Sequence, residues 1–359
     1  MYGDNLNTPR LFGIRNSNRD FRNAQAWGKN QFNNAFPVAL SCYMYERGLQ
    51  PVFLTLDENF QLAHRKIGVE EIFGVVPSSP DLFFCFEVDY QPYQKMIVGT
   101  LPRIDLVTRN TKIDQSMRGL EVKLTALPDH GTAGLSDDKL GCEIVVRPDT
   151  IVYQALSIAS SFQLQRQRLL EILAPFCSVI KDWREESTMV SNIDGFTDMI
   201  RQIIRSGVHI QKPLIIQPVW KTLGKSSQLA ENCLDIFVWS DTALLRLFID
   251  DLSRAASVTK IQRPARSIIW LAKMLYDFAR EGRFNASTIT NQLSYSTRTD
   301  KAFAIGGSRT NSYMKCAELT KPRITKTEIK NIILGGGQNF LSPERRFDAI
   351  IANTPDIFK

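Results

Sequence analysis

The sequence predicts an α/β protein with a mixed central β-sheet flanked by helices. Three observations predict it. Short apolar or alternating runs occupy residues 51–146. From Thr150 onward, apolar residues recur at helical spacing. Two strand-like runs, 214–221 and 234–239, return among those helices, as they do when helices flank a sheet.

In chain order, residues 34–47 place Phe36, Leu40 and Tyr43 at helical spacing, with Gly48 to stop the helix. Residues 51–56 read as a short strand and 69–73 as the end of a second helix. Residues 81–90 form a strongly apolar strand, closed by the turn Gln91-Pro92-Tyr93. Residues 101–107 and 120–124 alternate and are strands. A Gly- and Asp-rich loop over 128–140 leads to a strand at 142–146, expected to join the others in the central sheet. Ile151, Ala155, Ile158 and Phe162 line one helix. Helices follow over 169–183, bent at Pro175, and over 193–204, 242–252 and 266–280. Residues 282–315 are rich in hydroxyls and amides and poor in apolar residues, as in a polar loop.

Composition limits the function classes. The chain has 359 residues, is 43% hydrophobic and carries a formal net charge of +7. That suffices for a full core, and the basic excess suits a polyanionic partner. No apolar run approaches a membrane span, and the first residues are polar, so a cytoplasmic protein is expected. Cysteines 42, 85, 142, 177, 233 and 316 show no paired metal-ligand spacing and read as reduced thiols. Histidines 64, 130 and 209 stand far apart, which disfavours a triad or a His-based metal site. Gly335-Gly336-Gly337 lacks the context of a phosphate-binding loop, so no nucleotide cofactor is expected.

One stretch carries chemistry. Leu120, Val122 and Leu124 point one way, and Glu121, Lys123 and Thr125 the other. Asp105 lies mid-strand, between Ile104 and Leu106. If the strands pair, Asp105, Glu121 and Lys123 converge on one face. Carboxylates and an ammonium on a face flanked by apolar residues are costly without a partner. A divalent metal fits, since hard carboxylate oxygens suit Mg²⁺ and a lysine orients attacking water. The plain alternative is a surface hairpin with a Glu–Lys pair. Asp137-Asp138-Lys139 and Glu328-Ile329-Lys330 share the triplet but lack the strand context.

Asp105 followed sixteen positions later by Glu121-Val122-Lys123 resembles the PD-(D/E)XK nuclease signature. The chain is similar to type II restriction endonucleases of the HindVP/HgiDI type over most of its length. The Pro directly before the first Asp is absent, and Pro102 stands three positions earlier. Asp81, which does follow a Pro, is the competing first ligand; Glu70, Glu71 and Glu87 are further acidic candidates. The resemblance implies a PD-(D/E)XK core, Mg²⁺ held by Asp105 and Glu121, Lys123 positioning water, and a homodimer. Its substrate would be double-stranded DNA at a short palindrome resembling GRCGYC. A repair or structure-specific nuclease, or a silent DNA-binding relative, are the rival expectations. The implied organisation is an arm and helices over 1–80, a nuclease core over 81–260, and a helical, polar-loop region over 261–359 packed on it.

Two regions suit DNA contact. Arg15, Asn16, Asn18, Arg19 and Arg22 lie in an Arg- and Asn-rich N-terminal segment; those side chains match base edges and phosphates. Arg298, Ser308, Arg309 and Asn311 lie in the polar stretch near the C-terminus. An ordinary packed arm and a solvated loop are the respective alternatives.

Overall fold

A computed structural model describes residues 14, 16–18, 29–57, 59–122, 144–206, 214–218, 220–223, 226–229, 236–253, 263–293 and 303–305. Its centre is a seven-stranded mixed sheet in the order β2-β1-β10-β7-β5-β4-β3. The strands are β1 Val52–Leu56, β2 Leu62–Lys66, β3 Leu82–Val88, β4 Ile104–Asn110, β5 Gln115–Val122, β7 Leu214–Pro218 and β10 Ile236–Trp239. The α/β expectation therefore holds: the sheet is mixed and helices flank it.

Successive residues in the strands go to opposite faces, and both faces are covered. Phe53, Leu106, Leu120, Ile216 and Val238 pack with Val38 and Leu40 of α1 (Lys29–Glu46) and Ile72 and Phe73 of α2 (Val69–Phe73). Leu54, Val107, Ile215 and Trp239 pack on the other face. Their partners there come from α3 (Pro148–Ser161), α4 (Arg166–Cys177), α6 (Ile193–Arg205), α7 (Asp241–Ser253) and α8 (Arg263–Glu281). Burial on two sides explains why β7 reads as a continuous Leu-Ile-Ile run.

The β3-β4-β5 meander is made by local signals. At the β4–β5 turn, Asn110 Oδ1 accepts from the Lys112 amide at 3.0 Å, and Asp114 takes a left-handed φ of +48°. The chain then crosses through α3 to α6 and returns as β7, parallel to β5, with Glu121 opposite Ile215. Thus α3 follows the site strands and lies on the sheet face that Glu121 addresses.

Several expectations need correction. The 142–146 strand does not join the central sheet. Ile144–Val146 (β6) instead pairs antiparallel with Phe303–Ile305 (β11). Apolar alternation specifies burial, not a partner, and both edges of β5 are already taken by β4 and β7. Strand β2 escaped notice because Leu-Ala-His-Arg-Lys is an exposed edge with little alternation. The helix read over 169–183 stops at Cys177, soon after Pro175, and a separate α5 spans Glu186–Ser191. The polar region after 282 opens with a helix, α9 (Ala286–Leu293). Asn285 caps it, accepting from the Thr288 amide at 2.9 Å, and Ile289 anchors it in the core. The residue 214–221 run splits into β7 and β8 (Trp220–Leu223), which pairs with β9 (Ser226–Leu229).

Among the described residues, no helix is long and apolar enough to cross a membrane. Cys42, Cys85 and Cys177 are free thiols. Burial pushes the Cys177 thiol up to about 12. It is therefore expected to resist iodoacetamide in the native protein at pH 8 and to react only on unfolding, as mass spectrometry of the alkylated peptide will report.

Candidate active site

The site grows from the pairing of β4 with β5. Leu106 lies opposite Leu120 in an antiparallel register, and one further step sets Asp105 opposite Glu121. At this point the carboxylate of Asp105 takes a backbone role: Oδ2 accepts from the Val122 amide at 2.8 Å. Leu120 and Val122 enter the α1-side core, which turns Glu121 to the other face. There Glu121 is only 9% exposed, and its Oε1 accepts from Thr150 Oγ1 at 2.8 Å.

Thr150 is held by α3. Pro148 opens this helix, where a missing amide hydrogen costs nothing, and Asp149 occupies its first turn. Residues 150–159 are all buried. Ser157 Oγ donates to Asp241 Oδ2 at 2.6 Å, tying α3 to the start of α7. Tyr153 fixes the helix from the other side. Its hydroxyl donates to the Pro102 carbonyl at 2.6 Å and accepts from the Tyr90 amide at 3.1 Å. Tyr90 packs where Gly119 lies, so closely that a Cβ there would come within 2.9 Å of its ring. Burial raises the Tyr153 hydroxyl above its ordinary range, and the charges of Asp89, Glu121 and Asp149 push the same way. Asp105 lies in register with Glu121 on the neighbouring strand.

Glu87 occupies the row too, since the pairs Phe86–Leu106 and Val88–Ile104 bracket Glu87 and Asp105. Its φ is +53°, a left-handed conformation that a non-glycine residue seldom adopts. The alternation slips there: Cys85 and Val88, three apart, both pack into the α3-side core. The Glu87 carboxylate meets Asn34 of α1 at 3.4 Å, on the opposite side of the sheet. Strained backbone of this kind gathers at functional sites.

The other acidic candidates lie elsewhere. Asp81 precedes the end of β3 that pairs with Asn110, six strand positions from the level of Asp105 and roughly 20 Å away. Glu71 forms an ion pair with Arg65 at 3.1 Å and caps Gly68, and Glu70 is its exposed neighbour on α2. Among the described residues, no group of three or more His, Cys, Asp or Glu could hold a metal. Asp105 and Glu121 are a pair. Lys123, Arg15, Arg19, Arg22, Arg298, Ser308, Arg309 and Asn311 lie outside the described residues. Asn16 donates to the carbonyls of Pro80 and Leu82, and Asn18 to that of Phe86.

Thr150 and Tyr153 were absent from the sequence-derived site. The available signal was Pro148-Asp149-Thr150, a helix start placed after the site strands. It locates a helix N-terminus but not the strand beneath it.

The sequence model of the HindVP restriction endonuclease family matches residues 27–358. The chain belongs to that family. It is 46% identical to a protein of Herpetosiphon aurantiacus named type II restriction enzyme HgiDI, over 99% of both chains. It is 41% identical to the probable type II restriction enzyme HindVP of Haemophilus influenzae, over 98% of this chain and 95% of the relative. No solved structure matches. For this member of the HindVP family, the geometry above therefore comes from the chain's own residues.

Proposed function

We propose that this chain is a type II restriction endonuclease that hydrolyses double-stranded DNA at a short palindrome of the GRCGYC kind. In this reading it acts as a homodimer with Mg²⁺ and protects its cell from foreign DNA. The observation that carries the reading is the cross-strand pair Asp105 and Glu121 in a member of a restriction endonuclease family. The meander β3-β4-β5, the crossover through α3 and the parallel return as β7 support a PD-(D/E)XK core.

Two carboxylates are enough for this metal, because Mg²⁺ usually keeps several waters and shares phosphate oxygens with its substrate. Asp105 and Glu121 would hold it. When bound, it supplies charge neutralisation at the phosphate and acidifies water. The rest falls to the chain. The Val122 amide and the Thr150 hydroxyl orient the two carboxylates. Lys123, two positions after Glu121, would orient the attacking water and stabilise the pentacovalent phosphate. A two-fold dimer would bring one such site to each strand of a two-fold target.

The test is purified protein incubated with unmethylated plasmid and Mg²⁺, beside EDTA and Lys123→Ala controls. Discrete fragments that vanish in both controls are expected, and their mapped ends give the target. A smear would mean a non-specific nuclease. A gel shift without cutting would mean a silent binding protein.

Thr150→Val keeps the shape of the side chain and removes the donor to Glu121. Partners of metal-holding groups commonly matter 10- to 100-fold, so the single-turnover rate is expected to fall by roughly tenfold or more. Quench-flow at saturating DNA measures it.

A further inference from the structure

Helix α3 carries a polar stripe on a buried face. Thr150, Gln154 and Ser157 stand at i, i+4 and i+7, so they lie one above another along the helix. All three are buried. Thr150 Oγ1 donates to Glu121 of β5 at 2.8 Å. The other two meet a single residue, Asp241, the first of α7. Gln154 Nε2 donates to the Asp241 carbonyl at 3.1 Å, and Ser157 Oγ donates to Asp241 Oδ2 at 2.6 Å. The stripe is therefore held at two places, Glu121 at one end and Asp241 at the other. Thr150 and Ser157 are about 10 Å apart along the helix axis.

Asp241 is itself a fixed point. It is buried, and the preceding residue fastens it to the sheet: the Ser240 amide donates to the Leu54 carbonyl of β1 at 2.8 Å. Ser240 Oγ also accepts from the Ala243 amide at 3.1 Å, which caps α7. Asp241 follows Trp239, and Trp239, Ile215 and Glu121 form one row across β10, β7 and β5. Helix α3 thus reaches from the site strand to the residues that follow β10. Gln154 marks this hold as more than packing. Its Oε1 is buried with no hydrogen-bond partner among the described residues, an arrangement that lowers stability. An apolar side chain would avoid that loss but would give up the contact with Asp241. Local rules are broken in this way where position matters to function.

We propose that Asp241 is a positioning residue for the cleavage reaction: through Gln154 and Ser157 it sets the register of α3, so that Thr150 meets the Glu121 carboxylate. This rests on the nuclease reading above. Asp241 acts through α3 and touches neither metal nor DNA. The contact with Glu121 is made in the first turn of the helix, and the anchors that place that turn lie one and two turns further on.

The experiment compares wild type, Ser157→Ala, Thr150→Val and the double variant by three measurements. These are the single-turnover rate on a cleavable duplex with Mg²⁺, the calorimetric affinity for Mn²⁺ on an uncut duplex analogue, and the urea midpoint. Ser157→Ala removes the donor to Asp241 and little else. It acts one step further out than Thr150, so it is expected to lower both the rate and the Mn²⁺ affinity by about fivefold. The double variant is expected to cut no more slowly, and to bind Mn²⁺ no more weakly, than Thr150→Val, because Ser157 acts through Thr150. The losses in urea midpoint should add instead, since the two side chains hold different partners about 10 Å apart. Asp241→Ala is expected to reproduce the Ser157→Ala loss, and Asp241→Asn, which still offers Ser157 an oxygen, to recover most of it. If Asp241→Ala does not fold, the Ser157 and Thr150 variants decide the matter by themselves. A Ser157→Ala protein that is less stable in urea but cuts and binds Mn²⁺ as wild type does would overturn the proposal while leaving the nuclease reading intact. Rate losses that multiply in the double variant would do the same. A wild-type protein that neither cuts the duplex nor binds Mn²⁺ would overturn both.

Discussion

Glu121→Gln is expected to reduce plasmid cleavage on the order of a thousandfold, the scale seen when a group that stabilises transition-state charge is removed. The substitution is nearly isosteric. Gln still offers an oxygen to Thr150 Oγ1, so the helix α3 contact and the melting temperature are expected to persist. What disappears is the negative charge of a side chain only 9% exposed, the charge that a divalent cation would offset. DNA binding in EDTA should stay level or tighten, because one anion facing the phosphates is gone. Asp105→Asn is expected to behave alike, since Asp105 lies opposite Glu121. Asp81→Asn serves as the control. It stands at the far end of β3, and cleavage should stay within about twofold of wild type. Cleavage lost in Asp81→Asn but kept in Asp105→Asn would place the site at the wrong end of the sheet.

The second large effect is on stability. Tyr153→Ala is expected to destabilise the fold by about 3–5 kcal/mol, the usual range for truncating a buried aromatic. Tyr153 is fully buried and joins three segments: its own helix, Pro102 before β4, and Tyr90 after β3. Truncation leaves a cavity and strands both the Tyr90 amide and the Pro102 carbonyl. Tyr153→Phe fills the cavity and removes only the hydroxyl, so its cost should be about 1–3 kcal/mol. Urea midpoints of the three proteins measure the order. Equal losses in Phe and Ala variants would mean that the hydroxyl, and not the ring, holds α3 in place.

Much of the strand geometry at this candidate site was legible in the sequence, for physical reasons. Alternation at Leu120 and Val122 fixed which face Glu121 takes, because a strand's period of two leaves no choice once one face is buried. Asn110 and the polar residues after it marked the turn that sets Asp105 opposite Glu121. Other parts depended on partners distant in sequence. Nothing in Ile144–Val146 names Phe303–Ile305 as its neighbour. Helix α3 read as a core stripe, and its role became visible only when Thr150 met a carboxylate 29 positions earlier. The left-handed Glu87 has no glycine to announce it; only the surrounding sheet imposes that conformation. Asn16 and Asn18 hydrogen-bond to backbone along the β3 edge. Residue type alone cannot separate an amide that reads bases from one that pairs with an edge strand, since both uses need the same donor and acceptor.

The most direct measurement is calorimetric titration of Mn²⁺ into the protein bound to an uncut duplex analogue, for wild type, Glu121→Gln and Asp105→Asn. Wild type is expected to bind the ion, and each variant to bind it at least about tenfold more weakly. Equal affinity in all three would contradict a metal site built on Asp105 and Glu121.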